Sequence, residues 1–326
     1  MPVAAIGNSS TLPARLRTQF AVRICVIFNP VARGEKARRF RRHLDQIGAQ
    51  SSLKLTASAG DARRLAAEAV REGFETVVAA GGDGTVNEVL NGIGDVPGGF
   101  EQARLAVLPL GTVNVFAREL ALSRKLERAW NIIVAGRESR IDLPRAEFVG
   151  AAGRERRYFA QMAGAGLDAR AVELVQWELK KKVGPLAYVW AGLQAMRAPP
   201  AKITVTATDS GPTVRAADAT ASASLVLVGN GKLYGGDFRV FSQADLRDGF
   251  LEMTVFPRTT LWTAALSGPS LLLRGCLPAS VAQSHRAASF QLSSPDPVPL
   301  ELDGELAGHL PATFSVERER LRVIVP

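Results

Sequence analysis

The stretch Gly81-Gly82-Asp83-Gly84-Thr85-Val86-Asn87-Glu88 constrains this chain more than any other. It follows Thr76-Val77-Val78-Ala79-Ala80, a short apolar run whose Val pair predicts a buried strand. After it, Val86, Val89, Leu90 and Ile93 recur at i, i+3, i+4 and i+7, one face of a helix. The glycines therefore occupy a strand-to-helix turn. Such a turn presents unpaired backbone N–H groups at the positive end of a helix dipole, which suits a phosphate. Three glycines in four positions let a ligand approach the backbone with no Cβ in the way. Any such turn can carry a glycine, but three around an acid, followed by Thr, exceed what a turn needs.

The same alternation continues on both sides. Ala21 to Phe28 reads as a strand, followed by Asn29-Pro30-Val31-Ala32-Arg33-Gly34, and Ser52 to Thr56 as another. Between them Ala37, Phe40, Leu44 and Ile47 have helical spacing. Arg38, Arg39, Arg41 and Arg42 lie among them, a solvated helix face or, alternatively, a face near phosphates or an anionic membrane. Gly60-Asp61 opens a helix with Ala62, Leu65, Ala66, Ala69 and Val70 as its buried stripe. Arg104 to Pro109 is a strand ending in Leu110-Gly111-Thr112; helices follow, with a further strand near Ser139 to Leu143. Alternating strands and helices predict βαβ units and a parallel, Rossmann-like sheet. The turns Asn29–Gly34, Gly81–Thr85 and Gly111–Asn114 all follow strands, at the edge where open α/β sheets bind ligands. Neither a Walker A pattern nor a complete G-x-G-x-x-G occurs.

From about residue 145 the pattern changes to short strands separated by turn residues, as in a β-sandwich. These are Tyr158 to Met162, Lys202 to Thr208, Ala221 to Val228, Phe238 to Phe241, Leu251 to Phe256, Ala287 to Leu292 and Val298 to Leu302. Helical stretches interrupt at Ala169 to Val183, Pro185 to Met196 and Thr259 to Leu273. The last is apolar, carries Trp262, and either packs over the sandwich or rests on a bilayer.

A length of 326 residues suits about two domains, and 47% apolar residues suffice for a sizeable core. The net charge of +9 favours anionic partners: nucleotides, nucleic acid or acidic headgroups. Aromatics at 6%, with no aromatic-basic interleaving, argue against nucleic acid. Cys25 and Cys276 read as buried thiols in a reducing compartment, and the three histidines lack zinc-ligand spacing. Residues 1–20 read as a loosely ordered leader without a signal-peptide core, and no apolar run reaches the roughly 20 residues of a membrane span. The expectation is a cytoplasmic protein whose membrane contact is peripheral.

Taken in order, Asn29-Pro30, Thr56 with Gly60-Asp61-Ala62, Gly81–Glu88 and Gly111-Thr112-Val113-Asn114 resemble the diacylglycerol kinase catalytic family. So do Gly231-Lys232-Leu233-Tyr234-Gly235-Gly236, Ala244-Asp245-Leu246-Arg247-Asp248-Gly249 and Asp303-Gly304-Glu305. That family also includes bacterial lipid kinases and the sphingosine and ceramide kinases. The resemblance runs from about Val22 to Pro326 and implies an α/β ATP-binding domain at 21–144. It implies a β-sandwich lipid-binding domain at 145–310, an active site in the interdomain cleft, and a last stretch, 311–326 with a strand at Leu321 to Val325, returning to the first domain.

It further implies ATP and Mg2+, with Gly81, Gly82, Asp83, Gly84, Thr85, Val86 and Asn87 forming the phosphate loop. Asn29, Thr56, Gly111 and Thr112 add nucleotide contacts. Asp248, with carbonyls of Asp245 and Phe250, matches a structural magnesium site; the residue-level alternative is a plain Asp-Gly turn. Glu305 matches the family's general base, presented by an Asp303-Gly304 hairpin, and Asp83 is the rival for that role. The partner implied is a lipid such as diacylglycerol at a membrane surface, with no nucleic acid; a homodimer stays open. Val115 stands where many diacylglycerol kinases have Asp, Asp237 where a third glycine is common, and Ser242 where Pro is frequent. Ceramide or sphingoid-base phosphorylation is therefore the nearest alternative. An NAD-kinase-like enzyme and a catalytically silent nucleotide-binding module stand behind it.

Overall fold

The computed structural model describes residues 23–29, 47–174, 194, 199–210, 221–260, 262–263, 267, 269–271 and 276–326. The leader, the arginine-rich helix, most of the expected helices at 169–196 and part of that at 259–273 lie outside those residues. The first half contains β1 (Ile24–Phe28), β2 (Ser52–Leu55), α1 (Asp61–Arg71), β3 (Thr76–Gly81) and α2 (Asp83–Gly94). It continues through α3 (Gly99–Gln102), β4 (Arg104–Pro109), α4 (Val115–Glu119) and α5 (Leu126–Ala135).

β2, β1, β3 and β4 pair side by side, each contact parallel. β3 is buried along its whole length, as a strand covered on both faces must be. Alternate residues feed two cores. Ile27, Val77, Ala79, Leu105 and Val107 meet Leu65, Ala66, Val89, Leu90 and Ile93 of α1 and α2. Val26, Phe28, Val78, Ala80, Ala106 and Leu108 meet Ala129, Trp130 and Ile133 of α5. α1 and α2 touch at Gly92, where an added methyl would overlap the carbonyl oxygen of Arg63 and lie 2.7 Å from Ala66 Cβ. Gly92→Ala is therefore expected to lower stability by about 1–3 kcal/mol, measured by urea unfolding.

The second half contains β5 (Glu138–Gly150), β6 (Gly153–Tyr158), β7 (Met162–Gly166), α6 (Leu167–Leu174), β8 (Ile203–Ser210), β9 (Ala221–Ala223) and β10 (Leu225–Gly229). It ends with β11 (Leu233–Tyr234), β12 (Phe238–Arg239), β13 (Leu251–Phe256), β14 (Gln283–Ser293), β15 (Pro299–Leu302) and β16 (Glu305–Ile324). β16, β15, β7, β10, β13 and β14 pair in that order, every pairing antiparallel, and β14 pairs again with β16. The sandwich-like half is thus a closed circuit of strands around Phe148, Phe159, Phe290 and Phe314.

Two expectations are corrected. The first half does not own a separate, Rossmann-like parallel sheet. All its strands belong to one sheet of fourteen that runs into the second half and is mostly antiparallel. The cause is β16, which is twenty residues long rather than a short terminal strand. It pairs β15, β14 and β5, then ends beside β4 in parallel, Val323 opposite Leu105. A shift in its register between Glu317 and Leu321 places Glu319 at φ 48, and the Glu319 N–H donates to Asp142 Oδ1 at 2.8 Å instead of to the ladder. Second, Cys25 is buried as expected, with burial raising its thiol to about 11, but Cys276 is exposed.

Candidate active site

The carboxyl ends of β2, β1, β3 and β4 lie level. Phe28 is opposite both Leu55 and Ala80, and Gly81 is opposite Pro109. Thr56, Asn29, Gly82 and Gly111 therefore emerge at one edge. Thr56 is held there by its N–H on Phe28 O at 3.0 Å. The N–H groups of Leu110 and Gly111 both reach Gly81 O, at 2.9 and 3.1 Å. The two glycine turns touch: a methyl on Gly111 would come within 2.5 Å of Gly82 Cα. Asn114 closes the second turn on itself. It sits in the left-handed region, accepts the Gly111 N–H and donates to Gly111 O.

Gly82 is the N-cap of α2, and its first turn has no side-chain cap. Those N–H groups are the donors a helix start offers an anion. Gly81 lies under Thr85, whose hydroxyl would collide with any Cβ there. Over Gly84 lies Glu305 from the start of β16; a methyl on Gly84 would overlap Glu305 Oε1. The phosphate-loop candidate and the base candidate, 221 residues apart in sequence, are thus in contact. Asp303 and Gly304 form the expected hairpin turn with φ 50 and 84, and Leu302 pairs Glu305 across it.

Asp83 faces differently. Its Oδ1 accepts the Phe116 N–H at 3.3 Å, so it ties α4 to the glycine turn. Burial raises its carboxyl above the usual carboxylate range, against backbone N–H groups of Val115, Phe116 and Asn114 that lower it. Val86 is in the helix-sheet core, and the Asn87 amide is committed, so neither side chain opens on the edge. Asn87 Nδ2 donates to Asp303 Oδ2 at 2.8 Å, and its Oδ1 accepts from Asn91. Thr112 is exposed and Thr56 buried.

Residues that sequence reasoning missed fix this contact. Asn91, one turn beyond Asn87, pairs both the N–H and the C=O of Tyr158 at 2.9 Å. Asp303 takes two N–H groups on each oxygen: Gln161 and Met162 on Oδ1, Asn87 and Ala160 on Oδ2. That breaks the expected strand Tyr158 to Met162 into β6 and β7. Glu88 accepts the N–H groups of Gly60 and Ala62, seating the start of α1 beside α2. Asn87 and Asn91, spaced four apart on a helix, were a legible signal of a buried polar face. Asp237, at the third-glycine position, forms an ion pair with Arg118 at 2.5 Å.

Asp245, Asp248 and Phe250 share one loop, but its donors do not fit a magnesium ion. Asp248 Oδ2 is paired with the Arg286 guanidinium and Oδ1 accepts the Phe250 N–H. Asp245 Oδ1 accepts the Arg247 N–H, and its carbonyl accepts that of Asp248 at 3.5 Å. The cationic place beside Asp248 is filled by arginine. Among the described residues no group of three or more His, Cys, Asp or Glu could hold a metal.

Residues 23–146 match the family described as Diacylglycerol kinase catalytic domain, and residues 161–325 the YegS C-terminal NAD kinase beta sandwich-like domain. A diacylglycerol kinase of Staphylococcus carnosus is 28% identical over 311 residues, covering 92% of this chain and 94% of the relative. One from Staphylococcus aureus (strain MRSA252) is 28% identical over 328 residues, covering 92% and 91%. The crystal structure of a diacylglycerol kinase from Bacillus anthracis superposes with a TM-score of 0.71 at 22% identity, covering 94% of this chain and 97% of that one. That likeness is one of fold.

Proposed function

The chain belongs to the family defined by these two matched domains, the diacylglycerol kinase catalytic domain and its β-sandwich-like partner, and from that premise we propose that it is an ATP-dependent lipid kinase. It transfers the γ-phosphoryl group of ATP to a hydroxyl of a lipid such as diacylglycerol. The single observation that carries the assignment of roles is the contact of Glu305 with Gly84. A phosphate seated on the first turn of α2 lies beside a carboxylate from the other half of the chain.

The uncapped N–H groups of that turn and the helix dipole hold the phosphates and stabilise the charge spread over the transferring group. ATP enters as its magnesium complex; no step is assigned to a structural ion at Asp248. Glu305 accepts the proton of the lipid hydroxyl as the new O–P bond forms and the bond to the β-phosphate oxygen breaks, releasing ADP. Asp83 is a positioning residue, because its carboxylate spans to α4 and sets the Gly111 turn. Among the described residues no helix is long and apolar enough to cross a membrane. In this reading the lipid is met at a membrane surface. Trp262, 72% exposed, supports such contact.

Incubation with magnesium, γ-labelled ATP and diacylglycerol in mixed micelles is expected to yield labelled phospholipid. Label appearing on ceramide or NAD but never on diacylglycerol overturns the acceptor. No labelled product from any of the three overturns the reaction.

A further inference from the structure

Behind the Asp303–Gly304 turn lies a second pair of acids that the phosphoryl-transfer reading leaves unused. Glu301, the third residue of β15, is fully buried. Asp168 is the second residue of α6. Both carboxyls converge on Gly164 of β7, where a methyl would overlap Asp168 Oδ2 and lie 2.8 Å from Glu301 Oε1. The outer oxygens are occupied: Asp168 Oδ1 accepts the Tyr234 hydroxyl at 2.5 Å, and Glu301 Oε2 accepts the Gly304 N–H at 2.6 Å. Glu301 Oε1 has no N–H or O–H donor among the described residues. The inner oxygens, Asp168 Oδ2 and Glu301 Oε1, thus converge on the same point of β7.

Two carboxylates sharing one site repel each other unless one of them carries a proton. We propose that Asp168 and Glu301 hold one proton between them, and that the pair is a positioning device for Glu305. Through Gly304 it fixes the turn that begins β16; through Tyr234 it ties that turn to the Gly231–Gly236 loop. The kinetic part of this inference rests on the reading of Glu305 as the base; the shared proton does not.

The electrostatic surroundings agree. Burial raises both carboxyls, and the charge of Asp168, with that of Asp303, raises Glu301 further. Facing the pair are Tyr234 from β11 and Asp303 from the turn. β7 carries no ionisable side chain along Met162–Gly166. On β16 the nearest ionisable residues are Glu305, opposite Leu302, and His309, opposite Pro299; on α6 they are Arg170 and Glu173.

A pair whose folded-state pKa lies above the unfolded carboxylate value binds its proton more tightly when folded. Its contribution to stability is present in full below the unfolded value and is lost as pH rises through the folded one. Over that interval the folding equilibrium constant falls tenfold per pH unit for one proton.

Glu301→Gln and Asp168→Asn each replace the shared proton by a fixed N–H. Each is expected to fold, keep kcat within about tenfold, and lose the fall in melting temperature above the carboxylate range. In the double variant donor meets donor unless the amide at 168 turns and reverses its hydrogen bond with Tyr234; either way the tie to the Gly231–Gly236 loop changes, so kcat drops by about 100-fold or more, beyond the product of the single effects, with KM for ATP little changed. Parallel melting-versus-pH profiles for wild type and Glu301→Gln overturn the shared proton, whether or not the chain phosphorylates lipid. A double variant no worse than the product of the singles overturns the positioning role. Separated melting profiles with no turnover in the wild type count against the kinase reading and leave the shared proton standing.

Discussion

With Glu305 replaced by Gln, kcat for lipid phosphorylation falls by about 10²–10⁴-fold, while the urea midpoint and KM for ATP stay near wild type. Glu305 is exposed at the first position of β16, so its backbone keeps the Leu302 pairing whatever its side chain carries. The amide keeps size and shape and removes only the ability to accept a proton. Asp83→Ala makes the contrasting case. Its carboxylate takes an N–H of α4 and is half-buried, so its loss frees that helix start and shifts the Gly111 turn. Stability, KM for ATP and kcat then change together. Steady-state kinetics on both variants decides between the two acids. If Glu305→Gln retained wild-type kcat while Asp83→Ala lost only kcat, the roles assigned here would be reversed.

The largest effect on folding is expected at Asp303. Its two oxygens accept four N–H groups: the backbones of Ala160, Gln161 and Met162 and the side chain of Asn87. Only a carboxylate fills that arrangement, since every partner donates. Asp303→Ala leaves buried donors unmet and should cost about 3–5 kcal/mol in urea unfolding. Asp303→Asn keeps the volume but turns an NH2 towards N–H groups, so it rescues little. Activity falls with stability, because the same turn carries Glu305. An unfolding free energy for Asp303→Ala within 1 kcal/mol of wild type, an order-of-magnitude threshold for one net hydrogen bond, would show that the network is not a structural keystone.

How much of this was readable in advance differs between the halves, for physical reasons. The first half is built from local patterns. Val86, Val89, Leu90 and Ile93 announce one face of α2, and that face is buried. The stripe predicted for α1, Ala62, Leu65, Ala66, Ala69 and Val70, is buried too. β4 and β13 have the predicted bounds. The convergence of Thr56, Asn29, Gly82 and Gly111 follows from parallel pairing, which places strand ends level. The second half depends on partners distant in sequence. Nothing local to Ala160, Gln161 and Met162 says that their N–H groups turn to Asp303 instead of a ladder. Nor does the run before Leu321 say that one strand continues across a register shift closed by Asp142. Side-chain commitments were the least legible. Asn87 stands in a phosphate-loop motif yet faces Asp303, and Asp248 stands in a metal-loop motif yet holds Arg286.

The path of β16 bears on how such chains can be recombined. It begins at the proposed base, and its final residues lie in the cores of the opposite half: Leu321 and Val323 in the core that α1 and α2 share, Ile324 in that of α5. A chimera of two relatives joined at one point near residue 145 would thread a foreign strand into a core that evolved with another. Its β4 edge would meet mismatched side chains although each parent folds. A functional exchange needs two junctions, with the segment after the bulge travelling with the first half. The halves are units of folding architecture but not units of inheritance.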